Sequence, residues 1–352
     1  MEDYPRSVEE FEVRFSSEDA CREYVFQLRW PEGFRCPRCG YDKAWAVSTT
    51  LWQCCRCDHQ TSATAGTVFQ DTRKPLKMWF RAMWYVTSQK NGASALGLQR
   101  VLGLGSYQTA WAWLHKLRRA MVRPGRDQMA GWIEVDETYV GGWEEGMKGR
   151  RRGEKSLIVI AAQVEGNGIG RIRMRVIPDA SAGSLHPFIE SSVEPGSTIH
   201  TDGWQGYTGI DKKGYGHEIS PIRGRPREAS KLLPRVHRVA SLLKRWLIGT
   251  HQGAVEPQHL AYYLDEFTFR FNGRTSKIRG KLFYRLMQQA VATEPTTYAA
   301  MVAPSKRSSK GTTTGSGYLS QVDSPFPPSR SSGRRDTAVA HTGKYPIPLH
   351  II

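Results

Sequence analysis

Two short cysteine motifs constrain this chain more than any other feature. Cys36-Pro-Arg-Cys39 and Cys54-Cys-Arg-Cys57 are CxxC knuckles separated by fourteen residues. A segment this small buries too little apolar surface to fold unaided, so bound metal must supply its folding energy. Paired knuckles at this spacing fit a tetrahedral four-cysteine zinc site of ribbon type. Five of the six cysteines fall within residues 36–57, and only Cys21 lies outside. Cys55 is too close to Cys57 to repeat the knuckle, so Cys36, Cys39, Cys54 and Cys57 are the expected ligands. Cys55 is then a spare thiol, and His59 a weaker substitute. Four thiolates leave no open position for a reactive water, which makes the site structural.

At 352 residues the chain has room for two or three domains. Residues 1–33 read as a helical lead-in, in which Ser17 and Glu18 precede Ala20, Tyr24, Val25 and Leu28. The ribbon occupies 34–62. From 75 to 124 the pattern is helical: KPLKMWFRAMWYVTSQ, SALGLQRVL, a Gly103–Gly105 break, then SYQTAWAWLHKLRRAM with Ser106 as N-cap. These helices make a candidate helix-turn-helix, with Tyr107 to Arg119 as recognition helix, or else a plain bundle. GRDQMAG, residues 125–131, reads as a linker.

Beyond the linker the period changes to two. WIEVDETYV alternates Ile133 and Val135 against Glu134 and Asp136, as a half-buried strand does. SLIVIAAQV suits a central strand, and IGRIRMRVI alternates apolar residues with arginines. SAGSLHPFIESSV is helical, STIHTD a short strand, and RVHRVASLLKRW an amphipathic helix with Val236, Val239, Leu243 and Leu247 on one face. HLAYYLDEFTFRFNGR and GKLFYRLMQQAV complete an α/β domain at 130–295. Residues 303–352, with SSKGTTTGSG and SPFPPSRSSGRR, read as a disordered basic tail.

Charge narrows the partner. Fifty Lys and Arg against 33 acids give a formal +17 and an isoelectric point near 9.7, a field suited to a polyanion. Lys148, Arg150, Arg151 and Arg152 form one cluster; Arg223, Arg225, Arg227, Lys231, Arg235 and Arg238 form another. Lys116, Arg118 and Arg119 end the third helical stretch. With Arg150, Arg151, Arg152, Arg238, Lys244 and Arg245 they are the expected phosphate contacts. No run of eighteen apolar residues argues for a membrane span, and MEDYPRSVEEFEVRF lacks the order of a secretory signal. The expectation is an intracellular protein that binds nucleic acid.

Among 33 acids, position selects two. Asp136 sits on the polar side of the first strand. Asp202 ends the fourth strand in HTDGWQGY, where Gly203 lets the chain turn. Strand-end carboxylates brought side by side hold hard divalent cations, and two such cations about 4 Å apart serve phosphoryl transfer. Glu134, Glu137 and Glu266 remain further candidates for an acidic role.

These residues carry a resemblance. CPRCG…WQCCRC…TSATAGTVFQDTRKPLKMWF resembles the ribbon, and the segment after it, of bacterial insertion-sequence transposases that have an N-terminal zinc ribbon and a DDE-type, RNase H-like catalytic domain. WIEVDETYVGG, HTDGWQGY, HRVASLLKRWLIGTHQG and YYLDEFTFRFNGR resemble four blocks of that catalytic domain, over roughly residues 20–295. The resemblance implies an RNase H-like mixed sheet with helices, preceded by the ribbon and the helical module. It also implies cleavage and strand transfer at the transposon ends with two magnesium (or manganese) ions. The implied partners are double-stranded DNA, as terminal inverted repeats and target, and further copies of the chain in a homodimer or larger assembly. A bacterial, cytoplasmic and nucleoid-associated location follows.

Carried over by position, Asp136 and Asp202 are the first two metal ligands. The third position falls on His237, with 34 residues between it and Asp202, and Lys244 matches the basic residue seven positions on. Branches of the family place glutamate, asparagine or histidine at the third position. Neutral imidazole ligates through one nitrogen although magnesium prefers oxygen, so His237 either ligates weakly or orients a water or phosphate. Lys244 suits a phosphate contact. Two other readings stand beside this one: a zinc-ribbon DNA-binding protein with an inactive RNase H-like domain, and a nuclease without transfer activity.

Overall fold

Serine side chains start the first two helices. Ser7 accepts from the Glu10 amide to open α1 (Val8–Arg14), and Ser17 accepts from the Ala20 amide to open α2 (Glu18–Arg29). The computed structural model describes residues 2–122, 125–141, 155–221, 229–253 and 255–302. Lys148, Arg150, Arg151, Arg152, Arg223, Arg225, Arg227 and the 303–352 tail lie outside the described residues.

The ribbon is a three-stranded antiparallel sheet of β1 (Ala44–Ala46), β2 (Trp52–Cys54) and β3 (Gln60–Thr61), in that order. After it come α3 (Leu76–Ser88), α4 (Ala95–Leu102) and α5 (Tyr107–Ala120). Pro75, which precedes α3, offers no side-chain cap. Instead Glu18 accepts from the amides of Leu76 and Lys77 at 2.7 and 3.1 Å. Its carboxylate thus fills the anion site that the first turn of α3 presents. Gly103, at φ 62°, closes α4 in the left-handed conformation a side chain resists, and Ser106 caps α5 as the sequence suggests.

The segment at 125–131, read as a linker, is partly fixed. Met129 is fully buried and bridges to Val193, exchanging backbone bonds with Ser192 and Glu194. The main sheet follows. β4 (Trp132–Val140), β5 (Ser156–Glu165) and β6 (Gly168–Ile177) form an antiparallel meander. After α6 (Ala182–Ser192), β7 (Thr198–Thr201) and β8 (Gly216–Ile219) add in parallel on the other side of β4, giving the order β6-β5-β4-β7-β8. The crossover through α6 is what lets β7 run parallel to β4.

A short α7 (Ala229–Leu232) leads into α8 (Pro234–His251). α9 (Leu260–Asn272), α10 (Arg279–Ala292) and α11 (Tyr298–Val302) complete the described chain. The sheet is covered on both faces. Ile133, Val135, Val159 and Ala161 pack with Leu185, Phe188 and Ile189 of α6. Ile158, Ile160, Ile172 and Met174 pack under Val236, Val239, Leu243 and Leu247 of α8 and Leu264 and Phe267 of α9. At the edge of the sheet, Asn272 pairs with both the amide and the carbonyl of Ile172, which satisfies backbone that β6 would otherwise leave open.

A third core joins α1–α5 to α10. Phe283, Leu286 and Met287 of α10 pack among Phe11, Phe15, Tyr24 and Phe80. A helix that follows the main sheet in sequence therefore completes the core of the N-terminal helices.

Candidate active site

β4 sets the site through its two faces. Ile133 and Val135 turn to the α6 side, so Glu134 and Asp136 turn to the α8 side. Asp136 stands opposite Ile160, whose side chain lies beneath α8. The parallel register pairs Ile133 with Ile199 and Glu134 with His200. Continued two residues, it sets Asp202 level with Asp136 on the neighbouring strand. Asp202 lies just past β7, and its Oδ1 accepts from the Trp204 amide at 2.9 Å. Gly203 makes the turn at φ 79°, and a Cβ there would meet Ile219 at 2.6 Å.

The helix α8 brings the third residue. His237 Nε2 lies 3.7 Å from Asp136 Oδ2, with the two side chains 30% and 18% exposed. That nitrogen is buried and has no hydrogen-bond partner among the described residues. Burial and Lys244 lower the imidazole pKa, against the pull of Glu134 and Asp202. A neutral imidazole nitrogen without a hydrogen bond, beside carboxylates, can serve as a metal ligand. Ser241, one turn on, spends its hydroxyl on the His237 carbonyl. Lys244 lies two turns along the same face. Desolvation and Lys155 lower its pKa, while Asp136 pulls the other way.

The structure assigns other work to the remaining acids. Glu134 is 1% exposed, and its Oε2 accepts from the amides of Arg235 and Val236 at 2.7 and 2.9 Å. It thereby caps α8, whose own N-cap, Leu233, has no acceptor. Glu137 turns to the opposite face, toward the buried Tyr207, whose pKa is raised by burial and then by Glu137, Asp136 and Asp202. Glu266 is fully buried on α9, held by Arg118 and Arg270 at 2.8 Å each. Burial alone would raise its pKa, but the two arginines bring it down to about 2.

That pairing corrects the reading of Arg118 as a phosphate contact. Arg118 is 2% exposed, paired with Glu266, and stacked over Tyr263 with its guanidinium carbon 4.1 Å from the ring centroid. A charge so placed cannot reach DNA. It sits on the α5 face with Leu114 and Leu117, and Trp113 on that helix stacks on Trp79 at 3.8 Å. Lys116 is half-buried, while Arg119, Arg238 and Arg245 are exposed. Arg150, Arg151 and Arg152 lie outside the described residues.

The ribbon gathers Cys36, Cys39, Cys54 and Cys57, and their sulfurs all lie within 4.8 Å of one another. Cys36–Cys57 and Cys39–Cys54 are each 3.6 Å apart. Zinc–sulfur bonds of about 2.3 Å in a tetrahedron require edges near 3.8 Å, so the four thiols fit one zinc ion. Cys55 is exposed and stands outside the set. Among the described residues no other group of His, Cys, Asp and Glu is drawn together so tightly.

A five-stranded mixed sheet flanked by helices, behind a four-cysteine ribbon, defines an RNase H-like protein with a zinc-binding N-terminal module. Sequence comparison agrees. Residues 16–60 match the transposase zinc-ribbon domain, and residues 128–272 match the ISXO2-like transposase domain. An uncharacterized protein in transposable element ISH50 of Halobacterium salinarum is 26% identical over 281 residues, which cover 73% of this chain and 91% of that protein. The chain thus carries both domains of an insertion-sequence transposase, the ribbon first and the ISXO2-like domain after it. No described helix is long and apolar enough to cross a membrane.

Proposed function

We propose that this transposase cleaves and joins DNA strands at insertion-sequence ends through a divalent-metal site held by Asp136 and Asp202, with His237 as third member and Lys244 beside it. The observation that carries this reading is the meeting of Asp136 and His237 at 3.7 Å beside the strand end that bears Asp202. Two carboxylates and an imidazole nitrogen that is buried without a hydrogen bond form a donor set suited to magnesium or manganese. Such a cation pair, when bound, supplies a nucleophile at neutral pH and neutralises developing phosphate charge.

The chain's own groups divide the remaining work. Asp136 and Asp202, on neighbouring strands, would hold the cations that engage the reacting phosphate. His237, neutral, adds a nitrogen donor or orients a water. Lys244 contacts the phosphate next to the scissile one as a point charge. Water opens the phosphodiester at the element end, and the 3′-hydroxyl released there attacks a target phosphodiester by the same in-line chemistry, displacing the target strand's 3′-oxygen as a hydroxyl.

The ribbon (34–62) and the helical module (75–124) bind the terminal repeats, and the catalytic unit (130–295) acts on them. Arg119, Lys116, Arg238 and Arg245 contact the backbone, along with the basic run at Arg150, Arg151 and Arg152. Joining two ends calls for two or more copies of the chain. The DNA substrate places that assembly on the nucleoid, in the cytoplasm.

The test is incubation of the full chain with a labelled end duplex, a target duplex and magnesium or manganese. A joined product that is lost in Asp136→Asn and Asp202→Asn, with duplex binding retained, supports the reading. Cleavage without joining makes the protein a nuclease. Activity unchanged in both variants refutes it.

A further inference from the structure

Arginine alternates along the edge strand β6: Arg171, Arg173 and Arg175 take turns with Ile172, Met174 and Val176. The apolar set packs under α8 and α9. Arg173 and Arg175 stand opposite Ala161 and Val159, so the cationic set faces the other way. Arg126, from the segment before β4, approaches the same place. A cavity of about 560 Å³ opens along the outer edge of β6, where residues of α9 and α10 also line it, two strands out from β4 and apart from Asp136 and Asp202.

Four arginines line this cavity, Arg126, Arg171, Arg173 and Arg285, against one carboxylate, Asp127. Arg285 also reaches Glu2 at the rim. The inner guanidinium groups are held by neutral acceptors. Arg171 donates to the Gln128 carbonyl at 2.9 Å, and Arg173 to the carbonyls of Asp127 and Ile172 at 2.9 and 3.0 Å. A carbonyl satisfies an N–H and fixes its direction, but it leaves the charge in place.

The cost of that arrangement shows in Arg173, which is 5% exposed. Burial, then Arg126 and Arg171, push its pKa down to about 10 against the pull of Asp127. The other nearby acid, Asp265 on α9, is pushed up to about 7 by burial against the pull of Arg126, which weakens it as a counter-charge near neutrality. Preorganised guanidinium forks with surplus charge, in a concavity large enough for a tetrahedral oxyanion, are matched to phosphate.

We propose that this cavity is a phosphate-binding site, with Arg126 and Arg171 as its principal donors and Arg173 as its buried support, and that it holds a backbone phosphate of duplex DNA passing the outer edge of the catalytic sheet. The assignment to DNA rests on the transposase reading above. The phosphate chemistry does not.

The experiment uses the full chain with its zinc. Arginine modification by phenylglyoxal, read residue by residue by mass spectrometry, is compared in buffer, with inorganic phosphate and with duplex DNA. Protection of Arg126 and Arg171 by DNA, at least several-fold above that of exposed Arg6, to which no DNA contact is assigned, is the expected result.

In parallel, Arg126→Gln and Arg171→Gln should each weaken duplex binding about 5- to 20-fold, flatten its salt dependence by roughly one phosphate contact, and regain part of the loss as lysine. Protection by inorganic phosphate alone, with duplex affinity unchanged in both variants, keeps the site and removes the DNA assignment. No protection by either anion, with unchanged affinity, overturns the proposal even while the protein binds and cuts DNA. If wild type does not bind duplex at all, the transposase reading fails instead, and the phosphate arm still decides the cavity. Should a variant fold poorly, the wild-type protection pattern stands by itself.

Discussion

Glu134 and Val236 are joined across 102 residues of chain by a 2.9 Å bond from the Val236 amide to the Glu134 carboxylate. Glu134 lies two residues before Asp136 on β4, and Val236 is the residue before His237 on α8. The cap therefore fixes how far apart Asp136 and His237 can be. Nothing in the local sequence of α8 provides it, because Leu233 has no acceptor and Pro234 no N–H.

Removing that cap should loosen the site as well as the fold. Glu134→Ala leaves two buried amides without a charged acceptor, a loss of about 2–3 kcal/mol. Glu134→Gln keeps an acceptor and should lose about half as much. Chemical denaturation of both variants checks the order. Equal stability of Glu134→Ala and wild type would remove the cap from the account.

Much of this was legible in advance and some was not, for physical reasons. The ribbon cysteines, the strand with Asp136, the turn at Asp202 and the apolar stripe of α8 are local patterns. Spacing and period report them. Caps given by Glu18 to α3 and by Glu134 to α8 link residues 58 and 101 positions apart or more, and short-range patterns carry no trace of them. Arg118 misleads for the same reason. At the end of α5 it looks like a solvated cation, and only the arrival of Glu266, 148 residues on, makes it a buried ion pair. The place of α10 in the N-terminal core is likewise a matter of tertiary packing.

Zinc should be worth more to the ribbon than any side-chain contact in it. The full chain is expected to hold one zinc per chain, released by a strong chelator or by Cys39→Ser together with loss of the ribbon's protection from proteolysis. Helical signal from α3, α5 and α10 should largely survive, since their core includes Phe80, Leu114 and Phe283 as well as the ribbon margin. Zinc retained by Cys39→Ser at wild-type strength would contradict the four-thiol set.

Two histidines beside Arg118 tie stability to pH. Burial and then Arg118 hold His115 down at about 2 and His251 at about 4, from an ordinary 6.5. Between those values and 6.5 the unfolded chain binds protons that the folded chain refuses. Their stabilising effect is therefore complete above about 6.5 and is lost as pH falls, by about 1.4 kcal/mol per pH unit for each histidine. Urea midpoints measured from neutral pH downward should fall accordingly, and His251→Gln should reduce the slope down to about pH 4. A flat profile would show that these rings are not buried neutral.

The most direct measurement replaces a proposed metal ligand by a softer one. Asp136→Cys and Asp202→Cys are assayed for end cleavage in magnesium and then in manganese, with duplex binding measured in the same samples. A thiolate disfavours magnesium and accepts softer ions. The account predicts that both variants bind DNA, fail to cut with magnesium, and recover activity with manganese. Wild-type cleavage by either variant in magnesium would contradict the claim that these two carboxylates hold the metal.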